Sequence, residues 1–173
     1  MILQMNLGKD LLNFNFLLKM INIIQKSILD IETKYIAHQT NCISKNSKGL
    51  AKAIFDKFPY ANSYAGRSKQ DIPGTIQIFG SDNDRLVINM MGQIFPGRPH
   101  FTQDSSKSRE KFFHKCLIKI AKIENLESIA FPSGIGCGLA GGDWNYYYNT
   151  LVNFEKFVAK NNVKVYSCEL KRE

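Results

Sequence analysis

Two glycine-bearing loops and the polar residues beside them carry whatever chemistry this chain performs. The first candidate stretch, Ser128 to Trp144, reads SIAFPSGIGCGLAGGDW: a short apolar run, a loop with five glycines, and a helix start near Asp143 or Trp144. Glycine permits positive φ and lets the backbone approach a ligand closely. Successive N–H groups can then point at phosphate oxygens while the helix dipole favours negative charge. The second stretch, Thr40 to Gly49, is a polar, turn-rich loop with glycine at the mouth of another helix. His38, Asn41 and Asp143 stand beside these loops and are the candidates for moving a proton or holding a hydroxyl.

Each candidate has a plainer role. His38 ends an apolar run, where a core histidine satisfied by one hydrogen bond is the default, yet it also adjoins the first loop and could aim its imidazole at a ligand. Asp143 is well suited to cap the last helix, and Asn41 to shape a turn. Gly136, Gly138 and Gly141 satisfy G-x-G-x-x-G, but the position about twenty residues on is Glu155, inside a predicted helix, so a dinucleotide-binding unit is excluded. No G-x-x-x-x-G-K-[ST] occurs. Tyr146 to Tyr148 reads as helix packing, with one ring available to stack on a base. His100 and His114 fall on a loop and a helix face.

The elements that position these residues alternate. Strands are expected at Met20 to Ile28, Tyr35 to Gln39, Thr75 to Phe79, Arg85 to Met91, Ser128 to Phe131 and Val163 to Cys168. Helices are expected at Leu50 to Phe58, from Ser108 or Arg109 to Ile123, and from Asp143 or Trp144 to about Lys160. Pro59 ends the first helix, and a tight turn at Ser81 to Asp84 makes the third and fourth strands a hairpin. By its length, the segment from Gly92 to Ser108 is expected to be a functional or a mobile loop. This order predicts an α/β, three-layer α/β/α sandwich with a mixed, mostly parallel central sheet. Both candidate loops then leave strand carboxyl ends, where ligands bind in such sheets.

The 173 residues suit one domain at 20–173, preceded by an N-terminal extension at 1–19 of undetermined role. Leu11 to Leu18 is apolar but is too short to span a bilayer, and no small-x-small cleavage pattern follows it, so no membrane partner is expected. The four cysteines lack a C-x-x-C pair, which argues against a zinc site or a disulfide framework and for a reducing, intracellular, cytoplasmic setting. A net charge of +8 makes a polyanionic partner and a merely solvated basic surface comparably reasonable.

The two loops in this order, NCISKNSKGLAKAIFDKFP and GCGLAGGDW about ninety residues apart, resemble those of macrodomains, which bind ADP-ribose. The resemblance spans roughly residues 20 to 170. It is strongest to the branch containing ADP-ribose-1''-phosphate phosphatases and the glycohydrolases that release ADP-ribose from DNA and protein. It implies that Lys48, Gly49, Leu50 and Ala51, with Ser133, Gly134, Ile135, Gly136, Cys137, Gly138, Leu139, Ala140, Gly141 and Gly142, enclose the diphosphate and distal ribose. Asn41 would lie beside that ribose, and Cys42 would be among the ligand-binding residues. His38, in IAHQTNC, matches a histidine of the phosphatase members, and Asp143 matches the acid of a G-G-x-D-W form. The GQIFPGR segment, Gly92 and Gln93 to Arg98, is similar to a G-Q-x-x-x-G-R loop. Two positions depart from the family: Gln93 stands where some glycohydrolases carry a catalytic lysine, and Lys26-Ser27-Ile28 replaces the G-D-[IL] that reads adenine, leaving Asp30 as an alternative carboxylate.

What the resemblance implies is an ADP-ribose-binding hydrolase, first of all a phosphatase acting on ADP-ribose-1''-phosphate through His38, Asn41 and Asp143, without metal or cofactor. Removal of ADP-ribose from protein or nucleic acid is the alternative activity. A non-catalytic ADP-ribose reader is the alternative from another class.

Overall fold

The computed structural model describes residues 21–170, so the expected extension at 1–19 and the Met20 start of the first strand lie outside the described residues. Six strands form one sheet: β1 (Asn22–Ile24), β2 (Tyr35–Asn41), β3 (Ile76–Phe79), β4 (Leu86–Gln93), β5 (Ser128–Pro132) and β6 (Lys164–Cys168). Their order is β1-β6-β5-β2-β4-β3. Every neighbouring pair is parallel except β3 with β4, the predicted hairpin. Three α-helices follow the strand ends: α1 (Gly49–Lys57), α2 (Ser106–Ile120) and α3 (Trp144–Ala159).

Alternation along the strands decides which helix covers which face. Tyr35 and Ala37 of β2, Ile88 and Met90 of β4, and Ile129 and Phe131 of β5 pack with Phe113, Cys116, Leu117 and Ile120 of α2 and Tyr147, Leu151 and Phe154 of α3. The intervening residues Ile36, Val87 and Ala130 pack with Ile54 and Phe55 of α1 and with Ala61 and Tyr64 beyond it. Burying each such large side chain contributes about 1.5–3 kcal/mol. The sandwich therefore has α1 on one face and α2 with α3 on the other.

Four boundaries differ from expectation. β1 stops at Ile24, because turns close at Lys26 and Asp30 and the Ser27 hydroxyl accepts from Leu29 N. β2 continues two residues past Gln39, with a register shift between Thr40 and Asn41 where it pairs with Gln93. α2 begins at Ser106 because Ser105 caps it, its hydroxyl accepting from Ser108 N at 3.1 Å. The segment after Gly92 is shortened further by a 3-10 turn at Thr102–Asp104. No helix among the described residues is long and apolar enough to cross a membrane.

The extension of β2 changes the setting of His38. Two residues from Ile36 and from Thr40, it faces α1, 1% exposed, with its ring edge-on to Phe55 at 5.5 Å. Nε2 lies 2.7 Å from Asn89 Oδ1, and Asn89 Nδ2 donates to Ala61 O and Ser63 Oγ. With Oδ1 thereby the acceptor, Nε2 carries the proton. Burial lowers the imidazole from 6.5 to about 4, against a smaller upward pull from Asn89.

A neutral buried imidazole binds its proton less readily folded than unfolded. Stability is full above the unfolded value near 6.5 and declines as pH falls towards about 4. Urea unfolding across that range should show a loss on the order of 3 kcal/mol from this group. His38→Gln, which can still donate to Asn89, should flatten the profile; equal slopes in both proteins would show that His38 does not set it.

Candidate functional site

At the carboxyl ends of β2, β4 and β5 the loops enclose a cleft of about 710 Å³. Its first wall is the loop after β2. Asn41 Oδ1 accepts from Ile43 N (3.2 Å) and Ser44 N (2.8 Å), an Asx turn that aims the chain away from the sheet. The loop ends at α1, whose N-cap Lys48 is extended and offers no side-chain cap, so the first-turn amides of Gly49, Leu50 and Ala51, residues that line the cleft, have no side-chain acceptor. Gly49 has φ of 56°, the left-handed turn that brings the chain into the helix.

The second wall is the glycine loop. Turns tie Ile135 N to Pro132 O, Cys137 N to Gly134 O and Gly142 N to Gly136 O. The amides of Gly136, Gly138, Leu139 and Ala140 donate to no backbone carbonyl among the described residues. The glycines divide the work. A Cβ on Gly136 would fall 2.5 Å from the Tyr147 ring, so this position is glycine for packing on α3, whereas a Cβ on Gly138 would meet nothing within 4 Å. Leu139 Cδ1 would lie 3.2 Å from a Cβ on Gly49, so the Leu139 side chain reaches from the glycine loop to the start of α1.

The third wall runs from Gln93 to Gly97. Gln93 Nε2 donates to Phe95 O and its Oε1 accepts from Gln39 Nε2 at 2.9 Å. Behind this wall lies a buried ion pair. The Asp104 carboxylate accepts from Ile94 N and Phe95 N, and from Arg109 Nη2 at 2.5 Å. Arg109 also donates to Gly97 O, Phe95 O and Ala140 O, so one guanidinium fastens the third wall to the glycine loop.

Thirteen of the expected residues line the cleft: Asn41, Lys48, Gly49, Leu50, Ala51, Gln93, Ser133, Gly134, Ile135, Gly136, Gly138, Leu139 and Ala140. The rest lie elsewhere. His38 is buried beneath α1 and does not line the cleft, because β2 runs on past it, so a general base is not expected from it. Cys42 is buried, its amide shared between Gln93 O and Ile94 O, and burial pushes its thiol up to about 12. Gly92 is covered by the Gln39 side chain, 2.6 Å from where its Cβ would stand. The Cys137 thiol donates to Ile135 O and burial raises it to about 11. Gly141, Gly142 and Asp143 border a neighbouring pocket of about 290 Å³ that shares Ala140 with the cleft. Asp143 caps α3, its Oδ1 accepting from Asn145 N at 3.0 Å. Asp30 is paired with Lys57 Nζ at 2.6 Å, and neither it nor Ser27 lines the cleft.

Gln39, Thr40, Ser44, Asn46, Tyr64, Pro96, Gly97 and Pro132 line the cleft without having been anticipated. Gln39 and Thr40 follow from the longer β2. Tyr64 carried no signal, since it comes from a turn-rich stretch after α1 with no periodic pattern. Lys48 is the only formally charged side chain on the lining among the described residues. The cleft offers neutral donors and backbone amides, which suits a phosphate-bearing ligand with several hydroxyls.

The Macro domain family matches the chain over residues 37–149, which includes both loops. Among solved structures, the macrodomain of Mycobacterium tuberculosis DarG superposes with a TM-score of 0.69 at 19% identity, covering 88% of this chain and 99% of that one. A Bacteroides thetaiotaomicron protein of unknown function gives 0.67 at 24% identity, covering 88% and 99%. Thermosipho africanus DarTG in complex with ADP-ribose gives 0.64 at 15% identity, covering 91% of this chain and 43% of that one. Among curated proteins, none matches.

Because the Arg109 guanidinium is the shared partner of two walls, Arg109→Met should lower the unfolding free energy by about 3–5 kcal/mol, the usual cost of stranding a buried carboxylate. Urea denaturation checks this. A loss below about 1 kcal/mol, the value of an exposed pair, would show that the pair does not brace the loops.

Proposed function

This chain belongs to the macro domain family, and from that premise we propose that its cleft binds ADP-ribose. The observation that carries the reading is that two sets of residues with unpaired amides, Gly49, Leu50 and Ala51 at the N-terminus of α1 and Gly136, Gly138, Leu139 and Ala140 of the glycine loop, line the same cleft. A diphosphate there accepts from both, and the dipole of α1 adds about 0.3–1 kcal/mol in favour of the anion. The uncharged floor of Gln39, Thr40, Asn41 and Gln93 suits a sugar. One structural neighbour, DarTG of T. africanus, was solved in complex with ADP-ribose.

Hydrolysis at the terminal ribose is the second reading, with phosphate from ADP-ribose-1''-phosphate as the first leaving group and ADP-ribose carried by protein or nucleic acid as the other substrate class. Its support is Asp143, which borders the pocket adjoining the cleft at Ala140. Asn41 would orient the ribose and the Asp143 carboxylate would take a proton from water. Binding ranks ahead of hydrolysis because, among the described residues, no carboxylate or imidazole lines the cleft itself.

Calorimetry should detect ADP-ribose binding that Gly138→Val weakens at least about tenfold, since the new side chain occupies the space of the ligand. The same variant should unfold as the wild type does, because its Cβ meets no protein atom within 4 Å. An absence of ADP-ribose binding by the wild type would overturn the proposal. Phosphate release lost in Asp143→Asn with binding retained would establish the hydrolytic reading, and no release from the wild type would leave a binding domain.

A further inference from the structure

We propose that Tyr64 contacts the ligand directly: its phenolic O–H and the second N–H of Asn41 Nδ2 converge on one oxygen of the sugar that follows the diphosphate, making Tyr64 a specificity-determining residue. This inference rests on the ADP-ribose reading of the cleft.

Hydrogen-bond bookkeeping carries it. The Tyr64 hydroxyl accepts from Asn41 N at 2.9 Å and from Asn41 Nδ2 at 3.0 Å. Both acceptor positions of the phenol oxygen are then occupied, and its one proton has to be donated. No protein acceptor for that proton exists among the described residues, while Tyr64 and Asn41 both line the cleft. The orientation of the Asn41 amide is settled independently, because its Oδ1 accepts from Ile43 N and Ser44 N. One N–H of Nδ2 therefore remains after Tyr64 is served.

The ring is held so that the hydroxyl cannot turn aside. Phe55 meets it edge-on at 5.3 Å and the Arg67 guanidinium lies 4.6 Å from its centroid. Arg67 is fixed in turn by Ser44 O and by Asp71. The surroundings select the ligand group. The amides that suit phosphate belong to α1 and the glycine loop, whereas Tyr64 and Asn41 sit with Gln39, Thr40 and Gln93 on a floor without charge. Two neutral donors on such a floor fit a sugar oxygen better than an anion, which would forgo the amide cluster.

The test compares ADP-ribose with ADP, which lacks that sugar, by calorimetry. Tyr64→Phe keeps the ring and should weaken ADP-ribose binding about five- to tenfold while leaving ADP binding unchanged. A direct contact is separated from an effect through Asn41 by placing a ring-fluorinated, more acidic tyrosine at position 64 and following its ionisation by absorbance. A phenolate still accepts from Asn41 but has no proton to give, so ADP-ribose affinity should fall as the phenol ionises, with ADP affinity flat. Constant ADP-ribose affinity through that ionisation, or equal losses for both nucleotides, would overturn the assignment. A wild type that binds neither nucleotide would instead overturn the ADP-ribose reading on which it stands.

Discussion

A guanidinium with almost no access to water holds the cleft together. Arg109 and Asp104 have side chains 3% and 0% exposed, so both charges have left water, at a cost of several kcal/mol per ion. The attraction between them offsets this only because the remaining valences are filled: Asp104 accepts two amides of the third wall, and Arg109 serves carbonyls on both loops. A well-packed apolar pair could match the stability. It could not hold Gly97 O and Ala140 O in fixed relation, because only a planar fork reaches several acceptors in set directions. The contribution of the pair is geometry, namely the width of the cleft.

That geometry makes the unpaired amides useful. Donors left without partners in a folded chain are tolerable where water or a ligand reaches them. Here the residues that carry them come from two loops that line one cleft and meet where the Leu139 side chain approaches Gly49. With Lys48 the one formal charge on the lining among the described residues, the attraction for phosphate is built from dipoles whose direction is fixed by turns and by α1. The net charge of +8 acts at longer range, raising the local concentration of anions without deciding which one fits.

Much of this was legible in the residues. Strand runs, helix periodicity and the Ser81 to Asp84 turn located every described strand and α-helix to within a few residues, because each signal is local. Both loops were placed on one edge by the rule for parallel sheets. What escaped depends on distance in sequence. The glycines looked equivalent, yet Gly136 answers to Tyr147 on α3 and Gly138 to open space. The helix expected from Ser108 or Arg109 starts at Ser106, because the Ser105 hydroxyl caps it, which composition alone does not locate. Asp104 gave no sign of its role, since its partners are ten residues upstream and five downstream.

His38 shows the same limit in its sharpest form. Read from its apolar run, His38 is a core histidine with one hydrogen bond, as the structure has it. The adjoining loop and the family resemblance made it a candidate base, and one position of register would have turned it towards the other face of the sheet. Instead it lies under α1 as a neutral donor to Asn89, which holds Ala61 and Ser63. His38 also meets Phe55, and Phe55 meets Tyr64. The imidazole therefore supports, through packing and one hydrogen bond, the segment that delivers a tyrosine to the cleft floor. Desolvation at that depth penalises a charged imidazole, which is why the ring stays neutral. The titratable ring thus lies behind the sheet, and the residues that β2 and β4 present to the cleft, Gln39, Thr40, Asn41 and Gln93, are neutral.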